Sequence, residues 1–361
     1  MQEEKKRILK LVEEGKLTAS EAITLMEKLE EASEESKTTS LSAEVKKTSS
    51  SSEETKTTHK TSSIGTKLFD LMDTAVKKVK EVDFDLNFGQ SYDVKHIFQY
   101  KETEFNNLDI HLANGSLNIL PWDESDVRVE CQGKIYRVDN QEEAKTAFHN
   151  HFECGVEGEK LFIRTEKKTM KTNVTLQIPQ KQYEKIRIKL FNGPVRGEHL
   201  KVNELNAKTT NGVVSFSSLK ADKAGIETAN GQIKLVDYEC GSIEAETING
   251  MIELRGSSQS LDLQSFNGNI TAKITDPNVK SVYAKTTTGS VEFSIPHGVE
   301  VKAELKSNLG SLAADLDEVV MIREKSDTLQ KEMYFKANQG QEHKLTLFTE
   351  TKTGSIKLKQ L

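Results

Sequence analysis

A glycine returns along this chain at Gly193, Gly212, Gly231, Gly250, Gly268, Gly289 and Gly310, in steps of 19, 19, 19, 18, 21 and 21 residues. Gly354 lies 44 residues further on, about two steps with an insertion, and Gly115 in "LANGSLNIL" is an early degenerate copy. Internal repetition at a fixed period constrains a fold more than any local signal. The neighbours of the glycine repeat with it. Three positions before stand Thr209, Thr228, Thr247, Ser265, Thr286, Ser307 and Thr351; two after stand Val195, Val214, Ile233, Ile252, Ile270, Val291, Leu312 and Ile356. Seven and five before are small or aliphatic, as in Ile186 and Ile188, Ala224 and Ile226, Leu261 and Leu263. The columns between are mostly polar, as in Lys208, Glu227, Glu246, Gln264, Lys285 and Lys306. Alternation with period two places two short strands around a turn in each copy.

Parity alone leaves the topology open. A two-residue Asn-Gly hairpin would also put the hydroxyl column and the following aliphatic column on one face, so an antiparallel β-meander is one solution. The near-constant period, with like residues recurring column by column, favours stacked rungs. The expectation is a mainly β chain: a β-solenoid repeat domain with coils of about 20 residues, preceded by a small α-helical hairpin. On this reading glycine supplies the φ > 0 backbone of the turn and asparagine tolerates it next best. The inward hydroxyl bonds a turn carbonyl or amide that the strands leave free. Apolar residues are only 35% of the chain, as thin coils with small cores require.

Four segments follow. Residues 1–32 read as two short helices: Ile8, Leu11 and Val12 stripe the first, Gly15 ends it, and Thr18 with Glu21 forms a capping box for the second, which shows Ala22, Leu25, Met26 and Leu29 on one face. Such a hairpin buries little area and calls for a protein partner or a second copy, making it the docking module and the route to a homo-oligomer. Residues 33–64, rich in Ser, Thr, Lys and Glu, read as a disordered linker. Residues 65–90 carry Leu68, Leu71, Met72, Ala75, Val76 and Val79 at helical spacing. They are read as a cap over the solenoid's open end or an interfacial membrane helix; acidic residues on the polar face favour the cap. Residues 91–361 hold the repeat. Within it, "NQEEAKTAF" (140–148) reads as a short helix with Asn140 and Glu143 as its capping box, and residues 316–344 as a loop or helical excursion.

The charge balance narrows the partners. Net charge is -6 with both signs mixed, which excludes a nucleic-acid footprint and favours a cationic partner. Outward Glu227, Glu244, Glu246, Glu253 and Asp262 fall on successive copies. Three readings compete for them: a groove for cationic peptides, the carboxylates of glycan chemistry, or ion-pair ladders with Lys208, Lys234 and Lys285. His149, His151 and Cys154 are the one cluster of metal-ligand types, but their spacing fixes no fourth ligand, so neither a metal nor a cofactor is assigned. No Ser/His/Asp motif, GxGxxG or Walker loop occurs, and no catalytic residue is named. Cys131, Cys154 and Cys240 read as reduced thiols, and Trp122 as a packed aromatic of the first coils. The N-terminus shows no apolar core of signal-peptide type, and no stretch reaches the ~20 apolar residues of a membrane span. The expected location is the cytoplasm or, by association, the membrane surface.

The order of these parts resembles one bacterial family. "ILKLVEEGKLTASEAITLMEKLE" is similar to a SHOCT-like module; a polar linker and "VKKVKEVDFDLNFG" follow; then "LFNGPV", "TTNGVVSF", "TANGQIKL" and "TINGMIEL" resemble the adhesin-type β-strand repeat domain. Together they resemble the YvlB-like and LiaX-like proteins of Gram-positive bacteria, over nearly the full chain. The resemblance implies a non-enzymatic role in the cell-envelope stress response. LiaX-like members imply surface-exposed sensing of daptomycin and cationic antimicrobial peptides. No site residue is carried over.

Overall fold

The computed structural model describes residues 90–327 and 330–361. The readings for 1–32 and 33–64, and nearly all of 65–90, fall outside the described residues. Strands β1 (Ser91–Tyr100), β2 (Asn107–Trp122) and β3 (Val127–Tyr136) lead into helix α1 (Gln141–His151), then β4 (Glu153–Glu157), β5 (Lys160–Thr165) and β6 (Met170–Pro179). The regular repeat runs through β7 (Gln182–Asn192), β8 (Val195–Glu198), β9 (Lys201–Asn211), β10 (Val214–Ser217), β11 (Lys220–Asn230), β12 (Ile233–Asn249), β13 (Ile252–Asn267), β14 (Ile270–Ile274), β15 (Ser281–Thr286) and β16 (Val291–Ile295). The chain closes with β17 (Val299–Ser307), β18 (Leu312–Asp315), β19 (Val320–Ser326), β20 (Lys331–Ala337), β21 (His343–Thr351) and β22 (Ile356–Gln360).

Successive copies pair in parallel and in register. Ile186 sits beside Leu205, Leu205 beside Ala224, Ala224 beside Ile243, Ile243 beside Leu261 and Leu261 beside Val282. This is a β-solenoid; parallel ladders exclude the antiparallel meander for the repeat. Each coil joins a short strand to a long one. The long strands break their alternation once, at Asn203-Glu204, Asp222-Lys223 and Gly241-Ser242, where two adjacent residues are both unburied. Inward columns of Ile, Leu, Val and Ala stack into one continuous core.

The corner glycine is needed for a different reason from the expected one. Gly115 and Gly193 have positive φ, 138° and 134°, whereas Gly212, Gly231, Gly250, Gly268, Gly289, Gly310 and Gly354 do not. What all of them share is contact. A Cβ on any of these residues would fall less than 3.0 Å from a backbone carbonyl oxygen of the coil beneath, as Gly231 would against Gly212. The left-handed backbone sits at the opposite corner instead, on His199, Ser218 and Asp237, with φ of 52°, 52° and 54°. Those polar residues precede buried Leu200, Leu219 and Tyr238. Changes in repeat length also fall at that second corner. The 18-residue step lacks a residue opposite Asp237, where the ladder shifts register, and both 21-residue steps place their extra residues between the short and long strands, around Pro277 and around Pro296 to Gly298.

Two side-chain columns brace the glycine corner. On the inside, Thr209 Oγ1 donates to the Gly193 carbonyl at 3.1 Å, Thr228 to Gly212 at 3.1 Å, Thr247 to Gly231 at 3.2 Å and Ser265 to Gly250 at 3.1 Å. The column continues with Thr286 on Gly268, Thr351 on Gly289 and Ser307 on Gly354. On the outside, the amides of Asn192, Asn211, Asn230, Asn249 and Asn267 each donate to the Oδ1 of the asparagine one coil earlier, at 2.7–2.9 Å. Asn114 ends the ladder on the Lys168 carbonyl, and Thr288 Oγ1 donates into its other end. The asparagines are therefore rungs of a hydrogen-bonded ladder rather than tolerant turn residues.

At both ends the order of coils in space departs from their order in the chain. β2 lies between the β5–β6 coil and the β7–β8 coil. The last coil, β21–β22, lies between β15–β16 and β17–β18. Antiparallel strands close the ends. β3 joins β6 to β1, and α1 covers this end with buried Ala144 and Phe148. The capping box of α1 forms: the Glu143 amide donates to Asn140 Oδ1 at 2.9 Å, while the Glu143 carboxylate takes the Asp139 amide at 3.0 Å. At the far end, β20 pairs with β17 and β19 with β20. The 316–344 excursion is thus a β-hairpin, neither a plain loop nor a helix. The exposed edge of β17 offers unpaired backbone groups that a strand can satisfy and a helix cannot.

Gly231→Ala is expected to destabilise the fold by ~3 kcal/mol or more, because a backbone contact cannot repack as a side chain can. Gly298→Ala, at φ 77° with open space around it, should cost about 1–2 kcal/mol. Denaturant titration of both variants checks this; equal losses would contradict the contact argument.

Candidate functional site

The register sorts the outward residues into rows. Along the long strands one row reads Arg164, His111, Lys189, Lys208, Glu227, Glu246, Gln264, Lys285, each on the strand next to the last. The row beside it reads Asp109, Arg187, Asn206, Gly225, Glu244, Asp262, Tyr283. Neighbouring strands lie ~4.8 Å apart, so Glu227, Glu244, Glu246 and Asp262 gather on three adjacent strands. Glu253 does not join them. It stands on the short-strand side, where Lys234 pairs with it at 3.1 Å and Gln232 donates to it at 3.1 Å.

The lysines do form the expected ladders. Lys208 pairs with Glu227, Lys285 with Glu350 at 3.1 Å and Lys185 with Glu204 at 2.7 Å, each between adjacent coils. Exposed pairs of this kind contribute ~0–1 kcal/mol apiece, so they tune register more than stability. Gln264 donates to Asp262 at 2.7 Å. The acidic group thus has basic neighbours on both flanks; at its centre Glu244 is exposed and Asp262 half-buried, while Glu246 is buried.

A basic half, which sequence reasoning missed, lies on the same face. Arg187 and Lys189 are exposed on β7, beside half-buried His111 and Arg164. Asp109 holds Arg164 at 3.2 Å and His111 at 3.2 Å. Burial lowers the His111 pKa, with Lys189 and Arg164 adding to the shift and Asp109 opposing it. The signal was present in the sequence: Arg187 and Lys189 stand six and four before Gly193, the same repeat positions as the carboxylates, and His111 stands four before Gly115.

Of the remaining candidates, His149 and His151 are exposed and Trp122 is half-buried. His149 and His151 lie in the last turn of α1, two positions apart, so they project in different directions. The His149 ring meets His96 edge-on at 4.9 Å. Among the described residues no three His, Cys, Asp or Glu side chains gather as a metal site. Trp122 Nε1 donates to the Asp126 carbonyl at 2.8 Å. The three cysteines are free thiols. Burial pushes Cys240 up to about 12 and Cys154 up to about 11, and raises Cys131 as well. No helix among the described residues is long and apolar enough to cross a membrane.

With this geometry in hand, comparison with known proteins is informative. Residues 105–359, which take in every coil, match the family described as Toastrack DUF4097. The chain belongs to the Toastrack family. Residues 3–34 match a SHOCT-like domain. The uncharacterized protein YvlB of Bacillus subtilis (strain 168) is 63% identical over 361 residues, covering 99% of each chain, so this is a YvlB-like Toastrack protein. Two solved structures are more distant. A candidate adhesin from Bacteroides fragilis shares 16% identity at a TM-score of 0.44, covering 73% of this chain and 97% of its own. A candidate lipid-binding protein from Parabacteroides distasonis shares 10% identity at a TM-score of 0.36, covering 74% and 96%.

The buried thiols of this Toastrack domain, Cys131 and Cys240, should resist alkylation. At pH 8 the rate for the folded protein is expected to fall below that of a free thiol by a factor on the order of 10³, because only thiolate reacts. Denaturant should release all three cysteines; fast labelling of either buried thiol in the folded protein would contradict the packing described.

Proposed function

We propose that the chain is a non-enzymatic interaction protein of the bacterial cell-envelope stress response, acting at the membrane periphery. In this reading the SHOCT-like segment and the solenoid engage different partners. The observation that carries it is the build of the solenoid: a stack of coils, cross-braced at every corner, whose outward side chains vary freely while the corners stay fixed. Such a body suits surface presentation. The resemblance to LiaX-like sensors supports the cellular setting. Residues 33–64 have the composition of a tether, so binding at one module would raise the effective concentration of the other near a shared surface.

Deleting residues 1–32 at unchanged protein level should reproduce the daptomycin and antimicrobial-peptide susceptibility of the full gene deletion. Full complementation by the truncated chain would sink the reading.

A second reading has its own support, the gathering of Glu227, Glu244, Glu246 and Asp262 on adjacent strands. Those carboxylates suit a Lys- or Arg-rich peptide. Its affinity should weaken by roughly tenfold between 50 and 300 mM salt, and by ~3–10-fold in E244Q/D262N, through screening and lost charge. Binding indifferent to both changes would remove this reading.

A further inference from the structure

The long-strand face is bipolar, and its two halves are arranged so that the face complements itself. Across β7, β9, β11 and β12 one row reads Lys189, Lys208, Glu227, Glu246. The row beside it reads Arg187, Asn206, Gly225, Glu244. Both rows change sign at the same seam, between β9 and β11. A third row, Glu204 on β9 and Lys223 on β11, reverses sign at that seam in the opposite sense.

We propose that two copies of this chain associate through this face, about a two-fold axis that runs along the strand direction at the β9–β11 seam. Such an axis reverses the order of the coils and preserves position along the strands. Arg187 then meets the second copy's Glu244, Lys189 its Glu246, Lys208 its Glu227 and Glu204 its Lys223. All four contacts join opposite charges, and symmetry makes each of them twice. Lys208 already pairs with Glu227 and Glu204 with Lys185 within one copy, and Glu246 is buried. Asp109, held by Arg164 and His111, approaches the second copy's Asp262. Arg187–Glu244 therefore carries most of the association. Arg187 and Glu244 stand three strands apart within one copy, ~14 Å, beyond the ~8–10 Å screening length of physiological salt. They therefore do not neutralise one another in the monomer. The centre of the seam is shallow: Gly225 has no side chain, and Asn206 beside it is short. Two faces can approach there before the longer charged residues meet around it.

The face has a limited area. Six strands at ~4.8 Å spacing by ~20 Å of strand give on the order of 500–600 Å² of flat surface per copy, somewhat under the ~800 Å² of accessible surface in a standard interface. The association is accordingly reversible and salt-dependent. It does not rest on the proposed function, since a chain that binds no peptide can still pair through this face.

The test is sedimentation velocity on the full chain from about 1 to 100 μM, at low and high salt, with wild type, R187E, E244R and the double variant R187E/E244R. Wild type should dimerise at low salt and dissociate as salt rises. Each single reversal should raise the dimer Kd at least ~10-fold, and the double variant should return it to within ~3-fold of wild type, because the swap rebuilds both symmetric contacts. Unchanged melting temperatures would show that the singles fold. A wild type that is monomeric throughout overturns the proposal. So does a dimer indifferent to R187E, which would place the contact elsewhere, or a double variant no better than the singles.

Discussion

Each corner glycine rests its Cα against a carbonyl oxygen of the coil beneath, and the rest of the solenoid is arranged around that contact. The carbonyl cannot be left bare, because a buried acceptor without a donor costs about 1–3 kcal/mol. The threonine or serine three positions earlier supplies the donor from the inside. The asparagine amides supply a parallel brace outside, every one pointing toward the same end of the stack, so each rung polarises the next. Hydroxyl, glycine and amide form one device, repeated coil by coil. It fixes register, and register decides which side chains enter the core and which form the charged rows.

This division of labour explains what was legible from residues alone. Period-two alternation and column identity sufficed for the parallel stack, since residues that must touch their own kind repeat. The carboxylates were legible as outward, and their distance from glycine already separated them: Glu227 and Glu246 lie four before it, Glu244 and Asp262 six before, Glu253 three after. Applied fully, that count would have moved Glu253 to the short-strand side. The glycine itself misled, because left-handed backbone and close backbone approach demand the same residue. The true left-handed positions, His199, Ser218 and Asp237, are ordinary surface polar residues that no composition rule singles out.

The order of the coils was not legible, for a physical reason. Every copy offers the same inward columns to either neighbour, so the sequence states that coils stack and not which coil stacks on which. The 44-residue gap before Gly354 marked an interruption, and the hairpin of β19 and β20 fills it. The loop or helical excursion expected there lost to the hydrogen-bonding demand of an open strand edge. In the basic half, Arg187 and Lys189 were legible six and four positions before Gly193, whereas Arg164 lies in a coil with no corner glycine to number it.

The displaced final coil has a consequence for how the chain is made and unmade. A solenoid whose coils follow chain order can grow rung by rung as it leaves the ribosome, and can be peeled from its last rung. Here the strands of residues 343–360 must enter a slot between two earlier coils, so the stack is complete only when this C-terminal stretch has emerged. A force applied to that terminus shears two parallel ladders at once instead of unzipping one. An unfoldase pulling from that end would begin against a strand held on both sides, and would meet the same arrangement again at β6, held between β2 and β3.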